Sequence, residues 1–256
     1  LNANATIQDL PGNAMLVDAT DTWQRGESSD GSGDLDITDD TGRLTIVGVG
    51  AVGGTTIDAN GIDRAFQVLD GVSATLRDLA VTGGAVTGSS EGGAIYNSGS
   101  LLAQGVRLFG NLSASAGGAV FNTSAGDATL DASVVTQNQA FDGGGVYNND
   151  NAIFTIRNSE VNENISGNDG GGIYNDLDGE VVLTNSDVIG NAAVGQGGGI
   201  YNNDAADLTV KNSRFSVNTS EDGAGLFNEL AGDVAIDNTT FTANIASGDG
   251  GAIYND

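Results

Sequence analysis

The chain has 256 residues, 41 of them Gly, with a single Pro and neither Cys nor His, and its 34 acidic residues against 8 basic ones give a net charge of −26. That charge opposes binding to nucleic-acid phosphates and to anionic membrane surfaces, and the absence of Cys removes disulfides, thiolate metal sites and thiol catalysis. No apolar run reaches the roughly 18 residues needed to cross a bilayer as a helix.

Residues 1–34 read as a segment apart. They begin at Leu1 without a charged or apolar leader, as a processed chain or an excised piece would. Strand-like pieces fall at 5–8 and 14–18, with Pro11-Gly12 between them and an acidic Gly/Ser stretch over 26–34. This segment is expected to cap the first coil of the repeat region, or to pair with the open C-terminal end of a second copy. The second arrangement would build a head-to-tail homopolymer or filament. A chain that is a fragment of a longer one is the rival account of that open end.

Residues 35–256 form the second unit. Strand-like pieces run through Leu35-Asp-Ile-Thr, Leu44-Thr-Ile-Val and Thr56-Ile-Asp-Ala-Asn-Gly, and regular repeats set in at about residue 74. A Gly-Gly-Ala-Ile-Tyr-Asn phrase ends at Asn97 and returns in variants ending at Asn122, Asn148, Asn175, Asn202, Asn228 and Asn255, at spacings of 25, 26, 27, 27, 26 and 27. A second phrase keeps step with it and ends at Asn111, Asn138, Asn164, Asn191, Asn218 and Asn244, with Gly84 in the same slot of the stretch 74–84.

Apolar residues two apart, such as Leu208 and Val210, carry strand periodicity, and Gly- and Asn-rich pieces separate the strands. Three short strands in about 26 residues cannot close a core alone. Stacked, each pairs with its equivalent one coil away, at about 4.8 Å. The predicted fold is an all-β, right-handed parallel β-helix of roughly eight to ten coils.

The slots of this repeat have distinct chemistry. Ile95, Val120, Val146, Ile173, Ile200, Leu226 and Ile253 form one interior column. Leu76, Leu130, Ile156, Leu183, Val210 and Ile236 form a second, and Leu108, Val135, Val161, Val188, Phe215 and Phe241 a third. The Asn slots are expected to form amide ladders at corners, where Asn also tolerates left-handed backbone.

The Gly-Gly-Ala-Ile phrase (Gly92 to Ile95, Gly250 to Ile253), taken with Phe-x-x-Asn (Phe215 to Asn218, Phe241 to Asn244), resembles the repeats of chlamydial polymorphic outer-membrane proteins, which are β-helical autotransporter adhesins. The wider arrangement is similar to secreted bacterial β-helix repeat proteins. Both resemblances imply a secreted or cell-surface protein with a structural or adhesive role, toward a host surface or carbohydrate.

Two slots are candidate sites. Before each Gly-Gly pair stand Glu91, Ala116, Asp142, Asp169, Gln196, Asp222 and Asp249. Stacked carboxylates such as Asp142 with Asp169, and Asp222 with Asp249, repel unless solvated, protonated or bridged by a cation, so a solvated acidic edge and a Ca2+ site are both open. No cofactor is otherwise required.

After each aliphatic residue comes a ring: Tyr96, Phe121, Tyr147, Tyr174, Tyr201, Phe227 and Tyr254. Alternation points these rings outward, as an interaction stripe for a partner or a carbohydrate, or as a surface covered by the chain's own loops.

No catalytic residue is assigned. A polysaccharide lyase or hydrolase on this fold is the alternative from another class, and it would need a basic residue beside an acidic cluster or paired carboxylates. The basic residues fall instead into repeat slots beside acids, Asp131 with Arg157, Lys211 with Asp237 and Asp187 with Arg214, as cross-coil surface pairs. Six Asn-x-Ser/Thr sequons occur, at Asn4, Asn111, Asn122, Asn164, Asn218 and Asn238.

Overall fold

Short strands joined by corners, with no helix among the described residues, stack into a parallel β-solenoid. The computed structural model describes residues 6–8, 16–17, 35–37, 43–48, 54–123, 126–229 and 232–256. One coil shows the plan: Ile95–Asn97, Ser100–Gln104, Arg107–Phe109 and Leu112–Ser113 each belong to a different sheet, called here the first to the fourth. The sequence pattern showed three of these strands. The fourth has two residues, too few for any alternation to register.

Register follows the repeat. In the first sheet Ile95 lies over Val120, then Val146, Ile173, Ile200, Leu226 and Ile253. The expected third column pairs likewise from Leu108 to Phe241. The second is continuous once Ala103 is placed between Leu76 and Leu130. Beside it runs a further column, absent from the sequence-based expectation: Ala74, Leu101, Ala128, Phe154, Val181 and Leu208, all buried. In the first three coils of these columns small and large residues alternate between the two, Ala74 beside Leu76, Leu101 beside Ala103 and Ala128 beside Leu130, whereas from Phe154 and Ile156 onward both are large. Ile236 and Ile253, in the last coil described, are exposed.

Polar groups at the corners are satisfied by the next coil. Asn97 Nδ2 donates to Asn122 Oδ1 at 2.6 Å, and the same bond recurs through Asn148, Asn175, Asn202, Asn228 and Asn255. A second ladder runs from Asn111 through Asn138, Asn164, Asn191 and Asn218 to Asn244, where each Oδ1 also accepts the backbone N–H of the preceding rung. Both ladders donate toward the C-terminal coils. Asn97 Oδ1 is buried without a partner, because its neighbour one coil back is Val68.

A third ladder was not expected. The backbone N–H groups of Val106, Ser133, Ser159 and Ser186 donate to the Oγ of Ser133, Ser159, Ser186 and Ser213 at 3.0–3.2 Å.

The expectation of left-handed backbone at the ladder Asn residues does not hold at either ladder, and at the second it is shifted by one position. Gly110, Gln137, Glu163, Gly190, Val217 and Ala243, each just before an Asn, hold positive φ, while the Asn residues do not. The glycine that opens the Gly-Gly-Ala-Ile phrase in each coil, Gly-Gly in all but Gly223-Ala224, has the same conformation, from Gly92 to Gly250 at φ +57 to +71. A Cβ there would meet the carbonyl oxygen of the aliphatic slot at 2.4–2.8 Å, which explains why no repeat substitutes it.

At the N-terminal side Thr6–Gln8 pairs antiparallel with Thr56–Asp58, and Leu16–Val17 pairs antiparallel with Arg43–Val47. These strands match the pieces expected at 5–8 and 14–18. Pro11-Gly12, the stretch 26–34 and Asn4 lie outside the described residues.

Asn175 donates to Asn202 Oδ1, Gly179 O and Asp207 O and accepts from Asn148. Asn175→Ala should therefore cost about 2–4 kcal/mol, since buried partners are left unpaired. Asn162→Ala, whose amide reaches only Glu160 at the surface, should stay within about 0.5 kcal/mol. Equal denaturant midpoints for the two variants would refute the ladder's role.

Candidate functional site

The two candidate slots lie side by side, because the acidic residue precedes the Gly-Gly turn and the ring comes after it. Neither behaves as its side-chain chemistry alone suggests. Alternation does send the rings to the face opposite the core, as expected. There they stack on one another, with centroids 4.6–5.5 Å apart along the whole series from Tyr96 to Tyr254. Phe121, Tyr174, Tyr201 and Phe227 are buried and the other three are half-buried. The left-handed glycines pass close to the ring-bearing residues, Gly170 within 2.9 Å of the Tyr174 side chain by a built Cβ. The five rings from Phe121 to Phe227 have a ring neighbour on each side, so that part of the stripe presents edges and hydroxyls, not open faces for a sugar to stack on.

The hydroxyls are held by a slot outside the two sequence-based candidates. It comes after each Asn of the ladder that starts at Asn97 and holds Ser98, Thr123, Asn149, Asp176, Asn203 and Glu229. Tyr147 OH donates to Asp176 at 2.7 Å, Asn203 Nδ2 donates to Tyr174 OH at 3.4 Å and to Asp176 at 2.9 Å, and Tyr201 OH donates to Glu229. In each case the partner lies one coil on. Burial, followed by these hydrogen bonds and nearby carboxylates, pushes the Tyr147 and Tyr201 phenols far above their usual range. Burial and the surrounding Asp176, Asp142 and Asp169 do the same for Tyr174. Where the ring is Phe121, no hydroxyl is offered, and Asn149 Oδ1 one coil on is buried without a partner. A polar residue after every Asn of the ladder from Asn97 to Asn255 was the signal available for this slot.

The acidic slot is bound into the backbone. Asp142 Oδ1 accepts the Asp169 N–H at 3.2 Å and an Asn168 amide at 3.0 Å, Asp169 Oδ1 accepts the Gln196 N–H at 2.6 Å, and Asp222 Oδ1 accepts the Asp249 N–H at 2.6 Å. One oxygen of each of these carboxylates is therefore engaged by the next coil. Burial raises the pKa of Asp142 and Asp169 despite these bonds, and it raises Glu91 against the pull of Arg64. Among the described residues no three acidic side chains gather in a metal-binding arrangement. Asp142, Asp169, Asp222 and Asp249 line up along the axis and do not converge on a point.

The cross-coil ion pairs Arg157–Asp131 (3.3 Å) and Arg214–Asp187 (2.9 Å) form as expected at the surface, while Lys211 and Asp237 are register partners that make no ion pair. The Asn158 amide and then Arg157 hold the Asp131 carboxyl below its usual value. A shallow cavity of about 240 Å³ opens on the outer face of the second sheet, lined by Ser73, Thr75, Ser100, Leu102, Asp127, Thr129 and Arg157. It holds one carboxylate and no facing pair. Of the sequons, Asn111, Asn122, Asn164 and Asn218 have buried amides committed to the ladders, which blocks Asn122 as well as the three in the second phrase, and Asn238 is exposed.

A family model described as the Chlamydia polymorphic membrane protein (Chlamydia_PMP) repeat matches residues 238–256, which span the last Phe-x-x-Asn and Gly-Gly-Ala-Ile phrases. No curated protein and no solved structure matches. The same two phrases recur in register through the preceding coils, so the match and the parallel solenoid together fit a repeat protein of the surface, outer-membrane type.

Because burial raises Asp142 and Asp169, the folded chain holds these protons more tightly than the unfolded chain. Their contribution favours folding at low pH and is lost as pH rises through the raised values. The melting temperature should be higher at about pH 5 than at pH 7, and less so in a variant with Asp142→Asn and Asp169→Asn; identical slopes would count against the buried carboxylates. Separately, Phe121→Tyr should give Asn149 Oδ1 its missing donor and stabilise the chain by about 0.5–1.5 kcal/mol in chemical denaturation. A destabilised variant would show that the hydroxyl does not reach it.

Proposed function

We propose that this chain is a structural, adhesive solenoid of the cell surface or extracellular space, and not a catalyst. The observation that supports this most is uniformity. The same three ladders and the same register run from coil to coil, and among the described residues no inserted loop breaks the repeat to gather an acid, a base and a substrate site in one place. A solenoid of this kind offers long, rigid faces on which contacts add along the axis. The repeat match at 238–256 supports the surface placement, and a net charge of −26 keeps such a β-rich chain soluble outside the cell.

A second reading, a carbohydrate-binding solenoid, has one feature in its favour. The cavity on the second sheet offers the Ser73, Ser100, Thr75 and Thr129 hydroxyls, with Asp127 and Arg157, around the half-buried Leu102, a mixture of polar anchors and one apolar contact that suits a sugar.

Beads coated with the chain should bind to host cells above uncoated beads, while incubation with a panel of neutral and acidic polysaccharides should release no cleavage product. Turnover that disappears on Asp127→Asn would sink the structural reading. Binding of one polysaccharide without cleavage, lost on Thr129→Trp, would favour the second.

A further inference from the structure

The fourth sheet carries a surface that none of these roles uses. Its strands have one inward residue, such as Ser113, Ala140 or Ser166, all buried. Their outward positions hold Leu112 and Ile165, and the next outward position holds Phe141 and Val194. These four side chains are 45%, 49%, 54% and 71% exposed. The strands pair coil over coil, Leu112 with Gln139, Gln139 with Ile165, and Ile165 with Ala192. Gly167 leaves room above Phe141, whose ring would lie 3.6 Å from a Cβ built there. Leu112 and Ile165 share one column with Gln139 between them, and Phe141 and Val194 share the next column, about 7 Å away, with Gly167 between them; taken alternately, the four large side chains step through four successive coils, or about 14 Å along the axis. Single exposed apolar residues are ordinary on a protein surface, whereas four large ones staggered through four successive coils of one sheet point to an interaction site.

Charge identifies the occupant. The corner stretches 110–118, 137–145, 163–171, 190–198 and 217–225 contain no Lys or Arg. They hold Asp142 and Asp169 on one side of the strands, with Glu163 on the other, and Glu221 and Asp222 in the next coil. A second copy would set like rims together in a chain of net charge −26. A stripe about 14 Å long accepts about nine residues of helix, with apolar anchors at i, i+4 and i+7.

We propose that the outer face of the fourth sheet binds a basic amphipathic segment of another protein, with its apolar stripe on Leu112, Phe141, Ile165 and Val194 and its cations over Glu163, Glu221 and the Asp142–Asp169 edge. The face is open to such a segment whether the chain sits at a cell surface or free in the medium, so failure here leaves the surface role untouched.

Fluorescence anisotropy with a labelled Leu/Lys amphipathic helical peptide tests this on the full chain. A peptide of the same charge with Leu replaced by Ser, and one with Lys replaced by Glu, serve as controls. The Leu/Lys peptide should bind, the two controls should not, and added salt should weaken the complex. Phe141→Ser with Val194→Ser should weaken binding about tenfold or more, with circular dichroism unchanged because both side chains are already exposed. Glu163→Gln with Glu221→Gln should reduce the salt dependence. Equal binding of the Ser-substituted peptide would show bulk charge attraction and overturn the proposal. So would unchanged affinity in the Phe141 and Val194 variant, concentration-dependent dimerisation of the chain that this variant abolishes, or binding to zwitterionic vesicles in place of the peptide.

Discussion

Buried amides that can be satisfied only by the same amide one coil away are the constraint on which this molecule depends. An apolar column alone would tolerate slippage, since one aliphatic side chain stacks nearly as well on another. An Asn at a buried corner does not. A coil displaced by one residue leaves a donor and an acceptor without partners in a dry environment, at about 1–3 kcal/mol for each unpaired group and for every rung displaced. The two Asn ladders and the Ser ladder thus set the register of all four sheets at three separate corners.

The ladders also determine which surfaces are free. Coil length stays between 25 and 27 residues because each corner must return over its predecessor, so the outward slots stay in register while their side chains vary from coil to coil. Groups that repel or hang loose as isolated side chains are drawn into this scheme: Asp169 becomes an acceptor for the next coil's backbone, and Tyr147 is tied to Asp176. What remains outside is the second sheet's polar face and the fourth sheet's apolar one, and these are the surfaces on which a partner could act.

The fold was legible in the sequence because the buried slots carry their identity in the side chain. Asn111 and its equivalents repeat the same residue, and Ile95 and its equivalents stay aliphatic. What escaped was encoded elsewhere. The left-handed corner before Asn138 is occupied by Gln137, and its equivalents by Glu163, Val217 and Ala243, residues with no common chemistry, since the backbone and not the side chain meets the requirement. The Ser ladder was hidden because Leu79 and Val106 occupy its slot in the first coils. The acidic slot was read by repulsion between carboxylates, and the sequence holds no sign that the next N–H arrives within hydrogen-bond reach of Asp142. The outward direction of Tyr174 could be read from alternation, but its burial depends on the rings above and below it, a property of the stack and not of the strand.

Both amide ladders donate in one direction along the axis, and this gives the solenoid a polarity that the cross-section alone does not show. A cut between any two coils exposes unlike surfaces: one bears free amide N–H groups at two corners, and the other bears free amide carbonyls at the same corners. Each matches the other and neither matches itself. The interior of the molecule is thus a succession of like directional junctions, and material of this kind can be lengthened or shortened by whole coils, with every junction restored, whereas a coil out of register loses its partners at all three corners at once.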